Sequence, residues 1–272
     1  MTDPGRPTPV VFDLHGYLEP AELEPAGSGI SMLGAAEGFV TITPQLEQPG
    51  LPRWDFGQGS GDVAYLSELI SHVESSLCVD RRRLYVTGLS MGAFTTSSLA
   101  CQLSDRIAAV APVAGLQDFA WCRTERPVPA IAFHGTADPI VAYTDGTGPN
   151  ARFLPSPDGS GSVVEPDDGT GRPKIDRPHP GAGDGVGAPE RLRGRPGTAA
   201  DRSRRDAGEL PVPGRGHVEL YSIIDGGHTW PGHPSLASPV PLVGTTTTTS
   251  ISADQVMWHF FRAHPLAGPM RR

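Results

Sequence analysis

The chain has 272 residues, a length typical of one α/β domain, and a single domain over residues 1–272 is expected. Its 30 acidic and 22 basic side chains give a formal net charge of -8, which argues against nucleic acid as a partner. No run of about 18 apolar residues is present, and residues 1–9 lack the basic and apolar regions of a signal peptide, so neither a membrane span nor a secretion signal is expected.

Short apolar runs that end at turn residues predict buried strands in the first part of the chain. The first run covers residues 9–15 and ends at Gly16, and the second covers residues 39–43 and ends at Pro44. Between residues 62 and 77, apolar side chains recur every three or four positions, which predicts a helix that Asp62 could cap. This helix should pack against the sheet.

Strands and helices continue to alternate along the chain. Residues 83–87, 107–113, 130–134 and 217–224 predict strands, and residues 90–103 predict a helix. The last helix is expected to begin at Ser252 with a capping box completed by Gln255, and to bury Val256, Met257, Phe260 and Phe261. This order predicts an α/β fold with a mainly parallel sheet and helices on both faces.

Residues 156–215 depart from this pattern. Gly, Pro, Arg and Asp supply 37 of these 60 residues, and none is Phe, Trp or Tyr. Burial of so few apolar side chains cannot offset the conformational entropy that is lost when a segment becomes ordered. The segment is therefore predicted to be largely disordered. It is either a natural insertion or the product of a reading-frame slip in a GC-rich gene, and the single Lys and single Asn of the chain fit such a gene.

Ser90 is the candidate nucleophile. It lies in Gly88-Leu89-Ser90-Met91-Gly92, a G-x-S-x-G motif between a predicted strand and a predicted helix. The motif alone is weak, but the strand-turn-helix context is the one that presents a serine hydroxyl in a sharp turn. The alternative interpretation is a serine that caps a helix.

A serine hydroxyl requires a base, and His228 is the candidate. It follows a predicted strand in a glycine-rich loop, whereas His134 and His15 end strands beside glycine and are expected to shape loops. His233 is the close rival, in the same part of the chain.

Asp138 is the candidate acid that orients the histidine. It closely follows the strand predicted at residues 130–134, whereas Asp118 and Asp145 follow strand ends less closely. The resulting chain order of serine, aspartate and histidine is that of α/β-hydrolases. The predicted oxyanion hole consists of the backbone N–H groups of Met91 and Tyr17, so a change of the Tyr17 side chain need not abolish activity.

Cysteine and histidine spacing gives no metal site. The three cysteines, Cys78, Cys101 and Cys122, allow at most one internal disulfide, and the sequence does not say which pair forms it. His228 and His233 have no matching further ligands nearby, so no metal and no cofactor are expected.

Taken together, the motifs resemble those of the polyhydroxybutyrate depolymerase and feruloyl esterase family of secreted α/β-hydrolases. The resemblance covers residues 9–150 and 217–264 and rests on HGY, CVD, GLSMG, APVAG, HGTADPIV and GGHTWPG. It implies an α/β-hydrolase fold, extracellular location and a serine esterase that acts on short-chain polyhydroxyalkanoate polyesters or on feruloyl and acetyl esters. Because no secretion signal is expected from residues 1–9, a cytoplasmic location is the alternative.

The resemblance also implies roles for individual residues. Ser90, Asp138 and His228 fall on the triad positions, and Trp230 would line the acyl or aromatic pocket. The chain differs from the family in residues 156–215, where members carry an aromatic- and cysteine-containing segment. Two other functions remain open: a serine peptidase of the prolyl-oligopeptidase type, and a non-catalytic remnant of the esterase fold.

Overall fold

The computed structural model describes residues 7–124, 126–144, 146–162, 206–209, 217–233 and 246–267. The strands are β1 (Thr8–Leu14), β2 (Val40–Ile42), β3 (Val79–Leu89), β4 (Ala109–Val113), β5 (Ala130–Gly135), β6 (Asp206–Glu209) and β7 (Val218–Ile223). The helices are α1 (Glu24–Ser28), α2 (Ile30–Glu37), α3 (Gly61–Ser76), α4 (Met91–Gln102) and α5 (Ala253–Ala263).

The described strands form one sheet in the order β2-β1-β3-β4-β5-β7-β6. All neighbouring pairs are parallel except β6 and β7, which are antiparallel. The predicted mainly parallel sheet is therefore confirmed. Because parallel strands end at the same edge, the segments that follow β1, β3, β5 and β7 all lie at one edge of the sheet.

Helices cover both faces of the sheet, as predicted. Successive side chains of a strand point to opposite faces, and β1 divides accordingly: Val11 packs in one core, and Val10, Phe12 and Leu14 pack in the other. The first core is closed mainly by α2 and α5, and the second by α3 and α4. Near-continuous apolar strands are what a sheet buried on both faces requires.

Two predicted helix caps are wrong. Helix α3 is capped by Ser60, whose hydroxyl oxygen accepts a hydrogen bond from Val63 N at 3.3 Å, while Asp62 accepts from Asp55 N at 2.6 Å. Helix α5 does begin after Ser252, but that hydroxyl donates to Asp254 and does not cap the backbone. In each case a neighbouring polar group competes for the expected capping side chain.

Only part of the segment 156–215 is described. Residues 156–162 form a loop with turns, and Asp206–Glu209 form the edge strand β6. The predictions for residues 163–205 and 210–216, disorder and a possible frame slip, concern positions outside the described residues and remain predictions.

Candidate active site

Ser90 occupies the turn between β3 and α4. Its backbone φ and ψ are 58° and −116°, a conformation that non-glycine residues rarely adopt. The backbone N–H of Ser90 holds the turn in place, because it donates to Val113 O of β4 at 2.9 Å. Strained geometry of this kind concentrates at functional sites, since the surrounding structure must hold it in place. The residue is partly exposed, which is compatible with its role as candidate nucleophile.

The two glycines of the motif allow the turn to pack against the end of β1. A Cβ atom at Gly88 would lie 2.6 Å from Leu14 O, and one at Gly92 would overlap the same carbonyl oxygen. Since a backbone carbonyl within the sheet cannot move freely, neither position has room for a side chain.

Replacing Gly92 with alanine is therefore expected to lower the free energy of unfolding by about 1–3 kcal/mol, the usual cost of overpacking. Gly61→Ala is the matched control, because a Cβ atom at Gly61 meets nothing within 4 Å. Urea denaturation of both variants measures the difference. Equal stability of the two variants would contradict the packing argument.

Asp138 and His228 are in direct contact. Nδ1 of His228 lies 2.7 Å from Oδ2 of Asp138, and both side chains are buried. Asp138 lies in the loop after β5 and His228 in the loop after β7, so the contact joins two segments 90 residues apart. The loops pack closely, because a Cβ atom at Gly135 would overlap backbone oxygens of Gly226 and Gly227.

The surroundings of Asp138 keep its carboxylate ionised. Burial alone would raise the pKa of this group, but the charge of His228 and hydrogen bonds from His134, His228 and Ile140 outweigh burial and hold the pKa well below its usual range. Oδ1 accepts from the backbone N–H groups of Ile140 and Val141 at 2.8 and 2.9 Å. One oxygen is therefore fixed by the backbone, and the other faces His228.

Ser90 shares the carboxyl edge of the sheet with this pair, at the end of β3. Within the described residues, the Ser90 hydroxyl has no hydrogen-bond partner, so its contact with His228 belongs to the proposal below. Catalytic hydrogen bonds are often long without substrate and shorten when the complex forms.

The rival residues have other surroundings. Nε2 of His233 lies 3.3 Å from Oδ2 of Asp254 on α5, and its ring packs over Gly29. Asp118 is exposed, and Asp145 lies outside the described residues. The geometry favours His228 and Asp138 as the pair.

The predicted oxyanion donors lie beside the Ser90 turn. Gly16 is near the candidate nucleophile, since a Cβ atom there would lie 3.7 Å from Ser90 Cβ. Gly16 N donates to Glu19 Oε2 at 3.1 Å and Leu18 N to Pro52 O at 2.9 Å. Among the described residues, the N–H of Tyr17, between them, and that of Met91, at the start of α4, have no protein acceptor. Both remain available to a substrate oxygen, and their assignment stays a prediction.

The Tyr17 side chain has a different role from its backbone. Its hydroxyl donates to Pro155 O at 2.7 Å, and burial raises the pKa of this phenol to about 12. The side chain thus joins the loop after β1 to the loop around residue 155.

Trp230 is almost completely buried. The residue is 3% exposed, and its Nε1 donates to Oε1 of Glu24 at 3.1 Å. The expectation that Trp230 lines a substrate pocket stays a prediction, and this burial argues against direct contact. The position instead joins the His228 loop to α1.

Glu24 and Asp13 form a buried carboxyl pair behind the site. Ser28 Oγ donates to Asp13 Oδ2 at 2.6 Å. Burial raises the pKa of Asp13 to about 7, against the opposing effect of the Ser28 hydrogen bond, and burial together with the Asp13 charge raises the pKa of Glu24 well above its usual range. The pair lies between the β1 end and Trp230, so it supports both loops of the site.

Because of this pair, we expect the free energy of unfolding to fall as pH rises. The folded pKa of Asp13, about 7, lies above its unfolded value of 3.8, so this contribution is fully present below pH 3.8 and lost as pH rises through 7. Between pH 5 and 7 the loss is roughly 2 kcal/mol. In Asp13→Asn, urea denaturation at both pH values should give a clearly smaller difference than in the wild type. An unchanged difference would contradict the assignment.

Four half-buried aromatic rings lie near the Ser90 turn, a feature that the sequence did not reveal. Ring centroids are 5.5 Å apart for Phe56 and Phe94, 6.0 Å for Phe56 and Phe119, and 4.8 Å for Phe119 and Trp121. Phe94 lies one turn after Ser90 on α4 and donates its N–H to Ser90 O. We name these four residues the aromatic group.

A disulfide between Cys101 and Cys122 joins the C-terminal part of α4 to the loop that carries Phe119 and Trp121. It settles which cysteines pair, and Cys78 is exposed as a free thiol. Within the described residues, no cluster of His, Cys, Asp or Glu is arranged to hold a metal ion. No helix in the described part of the chain is long and apolar enough to cross a membrane.

Comparison with solved structures identifies the fold. An acetyl xylan esterase from Aspergillus awamori superposes with a TM-score of 0.51 over 94% of this chain and 89% of its own, at 13% sequence identity. At this identity the likeness concerns the fold alone. The α/β-hydrolase fold expected from the sequence is confirmed.

Comparison with curated proteins confirms the family resemblance. The chain is 32% identical over 136 residues to a bifunctional acetylxylan esterase/xylanase of Neocallimastix patriciarum, and 30% identical over 150 residues to feruloyl esterase B of Piromyces equi. It is 33% identical over 119 residues to poly(3-hydroxyalkanoate) depolymerase C of Paucimonas lemoignei. These matches cover 50%, 52% and 39% of this chain but only 20%, 28% and 28% of the relatives. No family model matches the chain.

Proposed function

We propose that the protein is a serine esterase, a carboxylic ester hydrolase that works through an acyl-enzyme on Ser90. The observation that carries this proposal is the buried 2.7 Å contact between His228 Nδ1 and Asp138 Oδ2 at the sheet edge where β3 presents Ser90. A histidine held in this way has its proton on Nδ1, which leaves Nε2 free to act as a base. The esterase names of the curated relatives support the same reaction class.

In the first half-reaction, Ser90 Oγ attacks the ester carbonyl carbon while His228 Nε2 takes its proton. The carbonyl oxygen becomes an oxyanion that the N–H groups of Met91 and Tyr17 stabilise. The carbon–oxygen bond to the alcohol then breaks, and His228 gives its proton to the leaving alkoxide. In the second half-reaction, water replaces the alcohol and releases the acid. Asp138 stays ionised and stabilises the imidazolium throughout.

The proposed substrates are short-chain polyhydroxyalkanoate esters or feruloyl and acetyl esters. The names of the relatives support all three, since they include a depolymerase, feruloyl esterases and an acetylxylan esterase. The aromatic group near Ser90 favours an aromatic acyl group, because ring stacking adds to the energy of apolar burial. The mechanism uses no cofactor.

An extracellular location is part of the proposal. The disulfide between Cys101 and Cys122 supports it, because such bonds form and persist in oxidising compartments. The net charge of -8 fits a neutral ester substrate better than a nucleic acid.

The test combines a covalent probe with a substrate panel. We expect a fluorophosphonate to label the peptide that contains Ser90, and we expect hydrolysis of p-nitrophenyl acetate and of methyl ferulate or a 3-hydroxybutyrate oligomer. Cleavage of a prolyl p-nitroanilide without ester hydrolysis would instead support the peptidase alternative. A cooperatively melting protein that neither binds the probe nor hydrolyses any ester would support the non-catalytic remnant.

A further inference from the structure

A second histidine contacts the carboxylate that holds His228. Nε2 of His134 lies 3.3 Å from Oδ2 of Asp138, the same oxygen that faces His228 Nδ1. The His134 side chain is 11% exposed, so water competes little for this contact. His134 lies in β5, and Asp138 lies four residues further on, in the loop that follows.

A third atom fixes the protonation of His134 Nε2. The same nitrogen lies 2.9 Å from the backbone oxygen of Val141. A carbonyl oxygen can only accept a hydrogen bond, so this nitrogen must carry the proton. The N–H is therefore directed at Val141 O, and Asp138 Oδ2 lies beside it, 3.3 Å from the same nitrogen.

The ring of His134 is held by its neighbours. Tyr143 packs edge-on against it with centroids 5.6 Å apart, and the Tyr143 hydroxyl lies 2.6 Å from Ser222 Oγ on β7. The titratable groups around His134 are thus Asp138 and Tyr143, both from the loop after β5, and His228, which contacts the same oxygen of Asp138 from the loop after β7. Packing against Tyr143 on one side and the contact with Val141 O on the other orient the ring towards the Asp138 carboxylate.

We propose that His134 is a positioning residue for the Asp138–His228 pair. Its Nε2–H, directed at Val141 O with Asp138 Oδ2 beside it, limits rotation of the Asp138 carboxylate and weakens the attraction of that carboxylate for the His228 imidazolium. The inference rests on the proposed function, because His134 would act through Asp138 and His228 of the proposed triad. Oδ1 already has two backbone donors, and His134 gives Oδ2 a second donor beside His228. A buried carboxylate with all its donors has one orientation, and loss of a donor leaves it freer and more basic.

His134→Ala is expected to lower kcat for p-nitrophenyl acetate roughly 10- to 100-fold, the range typical of lost supporting contacts around a functional ligand, with KM within about twofold. The acidic limb of the kcat/KM profile should move to higher pH, because a more basic carboxylate holds the imidazolium more tightly. The downfield proton resonance of His228 Nδ1–H should shift as well, and this readout needs no turnover.

His134→Gln is the rescue variant, because its side-chain amide N–H can take the place of His134 Nε2–H. We expect its kcat and pH profile to return towards wild type. His259→Ala, an exposed position on α5, is the matched control and should change none of the readouts. If the alanine variant does not fold, His134→Asn replaces it, since its amide is one bond too short to reach Asp138.

The inference is overturned if removing the donor leaves both the acidic limb and the downfield resonance where they are in the wild type. It is also overturned if the glutamine variant behaves like the alanine variant in both readouts. Failure of the proposed function looks different: wild-type protein would not hydrolyse the ester, or Ser90→Ala would hydrolyse it at the wild-type rate.

Discussion

Ser90→Ala is expected to lower kcat for ester hydrolysis roughly 10⁴- to 10⁶-fold, the loss found when the nucleophile of a serine hydrolase is removed. The reason is chemical, since alanine offers no atom that can form the acyl-enzyme. The positive φ of Ser90 is equally costly for alanine, so the fold should change little. Initial rates with p-nitrophenyl acetate and an active-site titration measure the effect.

The matched control is Ser71→Ala. Ser71 is exposed on α3, and its hydroxyl donates only to Ser67 O of the same helix. This variant should keep wild-type activity and fluorophosphonate labelling. Wild-type activity in Ser90→Ala, measured on protein free of contaminating esterase, would contradict the whole assignment.

Asp138→Asn is expected to lower kcat roughly 10⁴-fold, the effect that the same change has in a serine protease triad. The carboxylate accepts on both oxygens: Oδ1 from Ile140 N and Val141 N, and Oδ2 from His228 Nδ1, with His134 Nε2 also 3.3 Å from Oδ2. An amide has only one oxygen. If that oxygen stays with the backbone donors, the amide NH₂ faces His228 Nδ1 and forces its proton onto Nε2, where it blocks the base.

The opposite orientation of the amide is no better. Its NH₂ group would then face two backbone donors in a buried position, and unpaired donors there cost about 1–3 kcal/mol each. Asp118→Asn is the control, because Asp118 is an exposed alternative acid from the sequence. Equal losses in the two variants, or none in Asp138→Asn, would show that Asp138 does not orient the base. The kcat values and thermal melts of both proteins decide the question.

Most of the sheet could be predicted from the sequence, because a strand buried on both faces leaves an uninterrupted apolar run. The start of β3 was missed, since Asp80, Arg81 and Arg82 are charged and carry no such pattern. The cap of α3 was misassigned because Ser60 and Asp62 both suit it, and only the contact of Asp62 with Asp55 N separates them.

The candidate triad could be predicted because each residue follows a strand, and parallel strands end at one edge. The contacts that support these three residues could not be predicted from the sequence. The His134 contact depends on how the loop after β5 folds back, and the burial of Trp230 depends on Glu24, which lies 206 residues away in the chain. The buried Asp13 and the aromatic group are likewise products of packing, which no local pattern encodes.

The β5–β7 pairing has one more consequence. Residues 7–162 carry Ser90 and Asp138, residues 206–267 carry His228, and six residue pairs of β5 and β7 join the two parts in register. Both parts also supply side chains to one core, to which the first part contributes Phe133 and the second contributes Phe260 and Phe261. Two polypeptides produced separately, one for each part, would each be inert, and recovery of ester hydrolysis on mixing would report their reassociation without any added label.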